Sequence, residues 1–409
     1  MDHHLLLIAD SDSQLLACKA LAQGLRTCNS GVTINAIPQE GTPESVIQAL
    51  NQTCELWRKT TAQLLREPRL AGFSAIGVYL TGSKLAEFRS SYHHSCEQHQ
   101  RRALPLFCGF NGLVLERFEE AIAWRLGYDL ICLNGPRDQE RMEQVLRHTP
   151  FTSQRTVLTG LSRQGRGAAK GQQIVQQQSK QRQLVFAEQV VMPSKPAERR
   201  LVVQLLARLA QRSPHWRVTI KPRVAPHETT FHAVETHISE TLRVALGSSP
   251  SNLQLSYAPL PELLHQSRLL ATVSSTACFD ALDLGCQPVL VGDFGLRQDL
   301  GTHFFAGSGL IRQLGEAEDL DALEQGLCAT PDWLHWVGYH NDFSVANLLS
   351  ALENWSSEER NTIPPQLSGY VVNAGDLSTN QLRRGAEISI SCRDYAEAQR
   401  LLEIALLQR

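Results

Sequence analysis

Residues 3–25 read HHLLLIADSDSQLLACKALAQGL. His3–Ala9 is an apolar run of strand length that stops at Asp10-Ser11-Asp12-Ser13. Helical periodicity then takes over across Gln14–Leu25, with Leu15, Leu16, Ala20, Leu21 and Leu25 on one face. Ser11 or Ser13 is placed to cap that helix. Strand, polar turn, amphipathic helix is the opening of an α/β unit.

The same alternation continues outward. Strands are expected at Val32–Ile37, Ser74–Leu80, Leu104–Phe107, Gly112–Leu115, Asp129–Leu133 and Thr156–Leu161. Helices are expected at Pro43–Glu67, Leu85–Gln100, Phe118–Arg125 and Asp138–His148. A second series begins at Leu184–Ala187 and runs through strands Arg217–Lys221, Leu253–Ser256, Leu269–Val273 and Pro288–Val291. Helices Ala197–Arg212, Thr229–Leu246, Pro261–Gln266 and Ser275–Leu284 lie between them. From about Leu320 the chain reads as helix and loop, closing with a helix at Tyr395–Gln408. Strands alternating with helices predict open parallel sheets, here two. Ligands of such sheets bind beyond the carboxyl ends of the strands.

The expected division is a first α/β unit over 1–162, a linker over 163–183, a second unit over 184–345 and a helical extension over 346–409. Ser162–Gln183 carries Arg163, Arg166, Lys170, Lys180 and Arg182, no acidic residue and a run of glutamines. That composition reads as a solvated linker in preference to an anion-binding loop.

Of the 409 residues, 42% are hydrophobic and 20% charged, which excludes disordered, collagen-like and disulfide-framework chains. The net charge of −2 gives no global field for nucleic acid or an acidic membrane. Ten cysteines occur without a C-x-x-C or zinc-finger spacing, which fits a reduced compartment. No early apolar run exceeds Leu5–Ala9, too short for a membrane span or a secretory core. The expectation is a soluble cytoplasmic protein with no nucleic-acid partner and no integral membrane segment. A lipid-linked acceptor met peripherally at the inner membrane is compatible with it.

Four motifs carry chemistry. In Leu269-Leu270-Ala271-Thr272-Val273-Ser274-Ser275-Thr276-Ala277 an apolar strand meets hydroxyls that open a helix, a place suited to phosphate; the plain alternative is capping by Ser274 or Ser275. Lys221-Pro222-Arg223 ends a strand with two cations that suit phosphate or carboxylate, with Glu228 close behind; the alternative is a solvated strand end. Glu188-Gln189 follows another strand, where the Gln189 amide could read a base or sugar edge or simply serve a turn. Asp10-Ser11-Asp12 offers paired carboxylates for Mg²⁺ or general-base work, against a capping role for Asp12 or Ser13. Other patterns fade. Gly165–Gly171 does not fit a P-loop, Arg312 stands where Gly307-Ser308-Gly309 would need its third glycine, and no G-x-S-x-G occurs. His93, His94, Cys96 and His99 cannot all converge from one helix, so no metal ligand is expected there.

As a set, Leu7–Ser13, Phe186-Ala187-Glu188-Gln189 with Pro193, Lys221-Pro222-Arg223, Ser251-Asn252-Leu253, Thr272–Ala277 and Asp293-Phe294-Gly295 resemble a family of bacterial glycosyltransferases. The resemblance runs from the N-terminus to about His340 and is densest over 184–310. It implies an α/β fold of GT-B type: two Rossmann-like lobes with parallel sheets facing a central cleft, and a C-terminal helix packing back on the first lobe. More distantly, the second half is similar to bacterial sialyl- and Kdo-transferases that use CMP-sugars. That likeness implies a CMP-linked donor whose phosphate is held by Ser274, Ser275 and Thr276, with Lys221 and Arg223 nearby. Gln189, Glu228 and Asp293 are then expected to contact nucleotide or sugar. Lys-Pro-Arg stands where those enzymes carry His-Pro, so Arg223 can only stabilise charge. Asp12, ahead of Asp10, is the expected base for the acceptor hydroxyl of a glycan or lipid-linked acceptor. The resemblance implies no cofactor and no bound metal.

Two other readings compete. Asp10 and Asp12 could be nucleophile and acid/base of a Mg²⁺-dependent phosphatase of haloacid-dehalogenase type, with Thr272 or Ser274 as its hydroxyl and Asp293 as its metal-binding acid. A non-catalytic nucleotide- or sugar-binding protein of the same architecture is the other.

Overall fold

The computed structural model describes residues 3–38, 44–51, 54–114, 118–146, 151–161, 180–190, 192–226, 236–355, 378–391 and 393–407. The chain divides into two compact units, Met1–Ser162 with His335–Arg409, and Arg163–Leu334.

The first unit is built on β1 (His4–Ala9), β2 (Gly31–Ala36), β3 (Glu55–Trp57), β4 (Ala75–Tyr79), β5 (Leu106–Cys108), β6 (Leu130–Leu133) and β7 (Thr156–Leu158). They form a seven-stranded sheet in the order β3-β2-β1-β4-β5-β6-β7, parallel throughout. The interior strand β1 shows why: Leu5 to Ala9 are all fully buried, as a parallel strand covered on both faces requires. Alternate residues serve opposite layers. Leu5, Leu7 and Ala9 join a core with Leu15, Cys18, Ala22 and Leu25 of helix Asp12–Thr27. Leu6 and Ile8 join another with Phe88 and Tyr92 of helix Lys84–Gln98. The helix after β1 is thus rotated from its expected face. Leu16 is 51% exposed, and Cys18 and Ala22 take the buried stripe.

The second unit holds β8 (Gln181–Ala187), β9 (Arg217–Lys221), β10 (Leu253–Leu255), β11 (Ser267–Thr272), β12 (Gln287–Val291) and β13 (Ile311–Arg312). Their order is β10-β9-β8-β11-β12-β13, again all parallel. Both sheets therefore grow outward from their first strand, then cross back past it to build the other side. In the second sheet the reversal falls between β8 and β11, the place where open α/β sheets form a ligand crevice.

Several expected elements differ. The helix expected over Pro43–Glu67 is interrupted: Glu44–Asn51 and Thr61–Leu65 are helical, and β3 lies between them on the sheet edge. Among the described residues, 112–114 form no strand. Residues 162–179 of the expected linker lie outside the described residues, and β8 begins three residues early, at Gln181. Lys180 is a structural lysine, its Nζ donating to the Leu264 and Leu284 carbonyls at 2.8 and 2.7 Å. The part from His335 onward belongs to the first unit; a helical extension was expected from 346. It is helix Val345–Glu353 whose Leu348, Leu349 and Leu352 enter the core beside β1. The closing helix Tyr395–Leu407 buries Ala398, Leu401 and Ala405 against Leu382 and Ala386 of helix Thr379–Ser391. The nine described cysteines are free thiols; burial pushes those of Cys108 and Cys286 up to about 12. Among the described residues no helix is long and apolar enough to cross a membrane.

Candidate functional site

At the carboxyl ends of β8 and β11, Gln189 ties the two strand exits together. Its Oε1 accepts the Ser274 backbone N–H at 3.0 Å and the Thr272 hydroxyl at 3.3 Å. Thr272 also lies 3.1 Å from the Ala187 carbonyl, an alternative acceptor for its single proton. Gln189 is thus a brace between strands, where a contact to base or sugar was expected. Ser274 is 1% exposed, with its hydroxyl 3.2 Å from the Met192 sulfur. That hydroxyl points inward. The Ser275 hydroxyl accepts the Ala277 N–H at 3.2 Å, so the helix starts at Ala277, two residues later than expected. Among the described residues, the backbone N–H groups of Ser275 and Thr276 and the Thr276 hydroxyl have no partner. These are the donors that the hydroxyl run presents outward.

The Lys221-Pro222-Arg223 turn leaves β9 next door. Glu188 organises it. One oxygen pairs with Arg199 at 2.7 Å and the other accepts the Arg223 backbone N–H at 3.0 Å. Both side chains of the pair are 7% exposed. Arg199 also donates to the Val190 carbonyl at 2.9 Å, fixing the turn after β8. His237, at the N-cap of helix Ile238–Leu246, reaches the Val224 carbonyl at 3.0 Å. With its backbone pinned from both sides, exposed Arg223 keeps a guanidinium that has no partner among the described residues. The Lys221 ammonium donates to the Pro222 carbonyl at 2.6 Å. Glu228 lies outside the described residues.

After β12, both oxygens of Asp293 accept backbone N–H groups, from Leu314 at 2.7 Å and Gly315 at 2.6 Å. Asp293 shapes the loop that leads from β13; it was expected to meet the ligand. Arg297 anchors the intervening loop to Glu198 at 2.5 Å. On helix Ala277–Asp283, burial and the neighbouring Asp283 carboxylate push Asp280 up to about 6.

In the first unit, Asp10 follows β1 at 2% exposure. It accepts from Lys84 Nζ at 2.6 Å and from the Thr81 hydroxyl at 3.4 Å, while Gln14 donates to Thr81 at 2.9 Å. Asp10 is therefore the anion of a local ion pair. The backbone of Asp12 opens the following helix behind Ser11; its side chain lies outside the described residues. The groups needed together by the phosphatase reading are divided between two sheets: Asp10 follows β1, whereas Thr272, Ser274 and Asp293 follow β11 and β12. Cys96 is buried in the core beside Tyr92. A separate cavity of about 710 Å³ opens at the other end of this unit, between Phe73, Tyr92, Arg101, Leu104 and Trp355.

Sequence reasoning missed Arg199, Arg297 and His237. A signal existed for the first. Arg199 falls on the apolar stripe of its own helix with Val202, Val203, Leu206 and Ala210, all buried. A charged residue in such a stripe needs a buried partner.

The fold has solved counterparts. A UDP-glucosyltransferase from Polygonum tinctorium superposes with a TM-score of 0.53 at 10% identity, covering 86% of this chain and 98% of that one. UGT89C1 from Arabidopsis thaliana, solved with UDP, gives 0.51 at 10% identity, covering 86% and 99%. At such identity the likeness speaks for the fold alone, a GT-B-like pair of parallel-sheet units. Both are named for UDP, and neither is a CMP-sugar transferase. No curated protein matches the sequence. A family model does, over residues 5–355, and the chain belongs to the family described as "Putative glycosyltransferase (DUF6716)".

Proposed function

We propose that this protein transfers a sugar from a nucleotide-activated donor to a hydroxyl acceptor, and that the second unit holds the donor. The observation that carries this is the set of unpartnered donors at the β8/β11 reversal: the N–H groups of Ser275 and Thr276 and the Thr276 hydroxyl. Lys221 and Arg223 add positive charge from the end of β9, on a backbone fixed by Glu188. Fixed N–H groups and cations aimed at a leaving diphosphate stabilise the charge that develops as the glycosidic bond breaks. Protein groups supply that charge, so the reaction is proposed to need no added divalent metal and no cofactor. Acceptor deprotonation is assigned to Asp12 before Asp10, because Lys84 already claims the Asp10 carboxylate. The acceptor class remains a glycan or a lipid-linked hydroxyl.

The test is thermal stabilisation by UDP, CMP, GDP and ADP, each with and without Mg²⁺. A ligand that binds only the native state raises its stability by mass action. One nucleotide is expected to stabilise without metal, and Lys221→Ala with Arg223→Ala to weaken it about tenfold or more. UDP in preference to CMP would follow the solved counterparts. Stabilisation by none of the four, with a Mg²⁺-dependent shift lost in Asp10→Asn, would overturn the transferase in favour of the phosphatase.

A further inference from the structure

Helix Pro331–Trp336 carries His335 in its last turn. A bend through Gly338, at φ +88°, brings His340 and Asp342 back beside it. The ligand atoms these three residues offer all lie within 4.8 Å of one another. His340 Nδ1 stands 3.3 Å from Asp342 Oδ2. Two ligands on one tetrahedral zinc ion, at bond lengths of about 2.0–2.2 Å, sit at about that separation. The His335 and His340 rings are 5.0 Å apart and tilted by 66°, an edge-on arrangement in place of a flat stack.

The backbone beneath the cluster is fixed. Gly338 donates to the His335 carbonyl at 3.0 Å and accepts from the Leu161 N–H at 3.0 Å. The Asn347 amide donates to the carbonyls of Asp342 and Leu158, both at 2.9 Å. The Phe343 ring lies 4.9 Å from His335 and forms an apolar wall. The backbone is thus set before an ion binds, and only the ligand side chains must close on it. On the open side the His340 and Asp342 side chains are 45% and 67% exposed, which gives an ion a path in and leaves room for a water ligand.

We propose that His335, His340 and Asp342 bind one divalent transition metal ion of the zinc type, with water completing the coordination. Two imidazoles and one carboxylate favour zinc, nickel or copper over magnesium or calcium, which prefer all-oxygen shells. All three ligands lie within one short segment, so the ion clips the bend that starts the returning part of the first unit.

The full chain, free of any polyhistidine tag, is tested with Zn²⁺, Co²⁺ and Mg²⁺. Expected are one Zn²⁺ retained per chain, a rise in melting temperature with Zn²⁺ but not Mg²⁺, and visible d–d absorption with Co²⁺. His340→Gln and Asp342→Asn alter exposed side chains. Each is expected to leave the metal-free melting temperature unchanged and to weaken Zn²⁺ at least about tenfold, as loss of a ligand should. A parent chain that shows no Zn²⁺ uptake, or Zn²⁺ stabilisation that survives in the double variant, would overturn the site. These readouts use metal alone and do not depend on whether the chain transfers sugar.

Discussion

The Gln189 amide oxygen accepts the Ser274 backbone N–H at 3.0 Å across the strand-order reversal of the second sheet. The two residues are 85 positions apart in sequence. Their bond sets the direction in which the chain leaves β11, and hence where the Ser275 and Thr276 N–H groups point. Gln189→Ala would leave a buried N–H without an acceptor, at a cost of about 1–3 kcal/mol. Urea denaturation should show that loss, with weaker nucleotide stabilisation of the folded protein. Gln189→Glu keeps an acceptor and should retain more of the stability than Ala. An unchanged denaturation midpoint in the alanine variant would mean that Ser274 finds another partner.

The Glu188–Arg199 pair makes a sharper prediction about the same turn. Both side chains are buried, at 7% exposure. Removing one leaves the other charged in a site built for two, which costs about 3–5 kcal/mol in buried pairs. Arg199→Met alone should therefore be severe. Arg199→Met with Glu188→Gln should be milder than the single arginine change, because no stranded charge remains. A double variant that is the sum of its singles would place the value of Arg199 in its carbonyl contacts.

Asp280 gives a pH signature. Its folded-state value of about 6 lies above the ordinary carboxylate value of 3.8. The folded protein thus holds the proton more tightly than the unfolded chain does. The stability so gained is full below the unfolded value and is lost as pH rises through about 6. Asp280 is exposed to solvent, which reduces the effect. Asp280→Asn should melt roughly 1–2 °C above the parent at pH 8 and match it near pH 4. A constant offset at both pH values would mean the change acts through packing.

The sheets were legible because buried parallel strands such as Leu5–Ala9 and Leu269–Ala271 are unbroken apolar runs. One edge of each sheet was not. Glu55-Leu56-Trp57 and Ile311-Arg312 are too short to show a period, and β3 sits between helix-forming stretches that swallow it. At the site, the chemistry of the residue types was readable and their roles were not. Ser274 and Asp293 look like ligands as local motifs. Each is claimed by a group distant in sequence, Gln189 for one and the Leu314–Gly315 backbone for the other. Arg223 and Thr276 lack such a competitor, and they are the ones left facing outward.

Gly338 tests how the returning segment is seated. Its φ of +88° already disfavours a side chain. A Cβ there would also lie 2.1 Å from the Asn134 carbonyl oxygen and 2.4 Å from its carbon, both backbone atoms. Gly82, in the same unit, has φ +51° and nothing within 4 Å of such a Cβ. Gly82→Ala should thus cost only the left-handed strain, about 1–2 kcal/mol. Gly338→Ala adds overpacking worth about 1–3 kcal/mol more. Chemical denaturation of the two variants separates the contributions. Amide exchange at Leu161, whose N–H is held 3.0 Å from the Gly338 oxygen, should speed up only in Gly338→Ala. Equal costs and unchanged exchange would show that the segment shifts to admit the methyl group without leaving its seat.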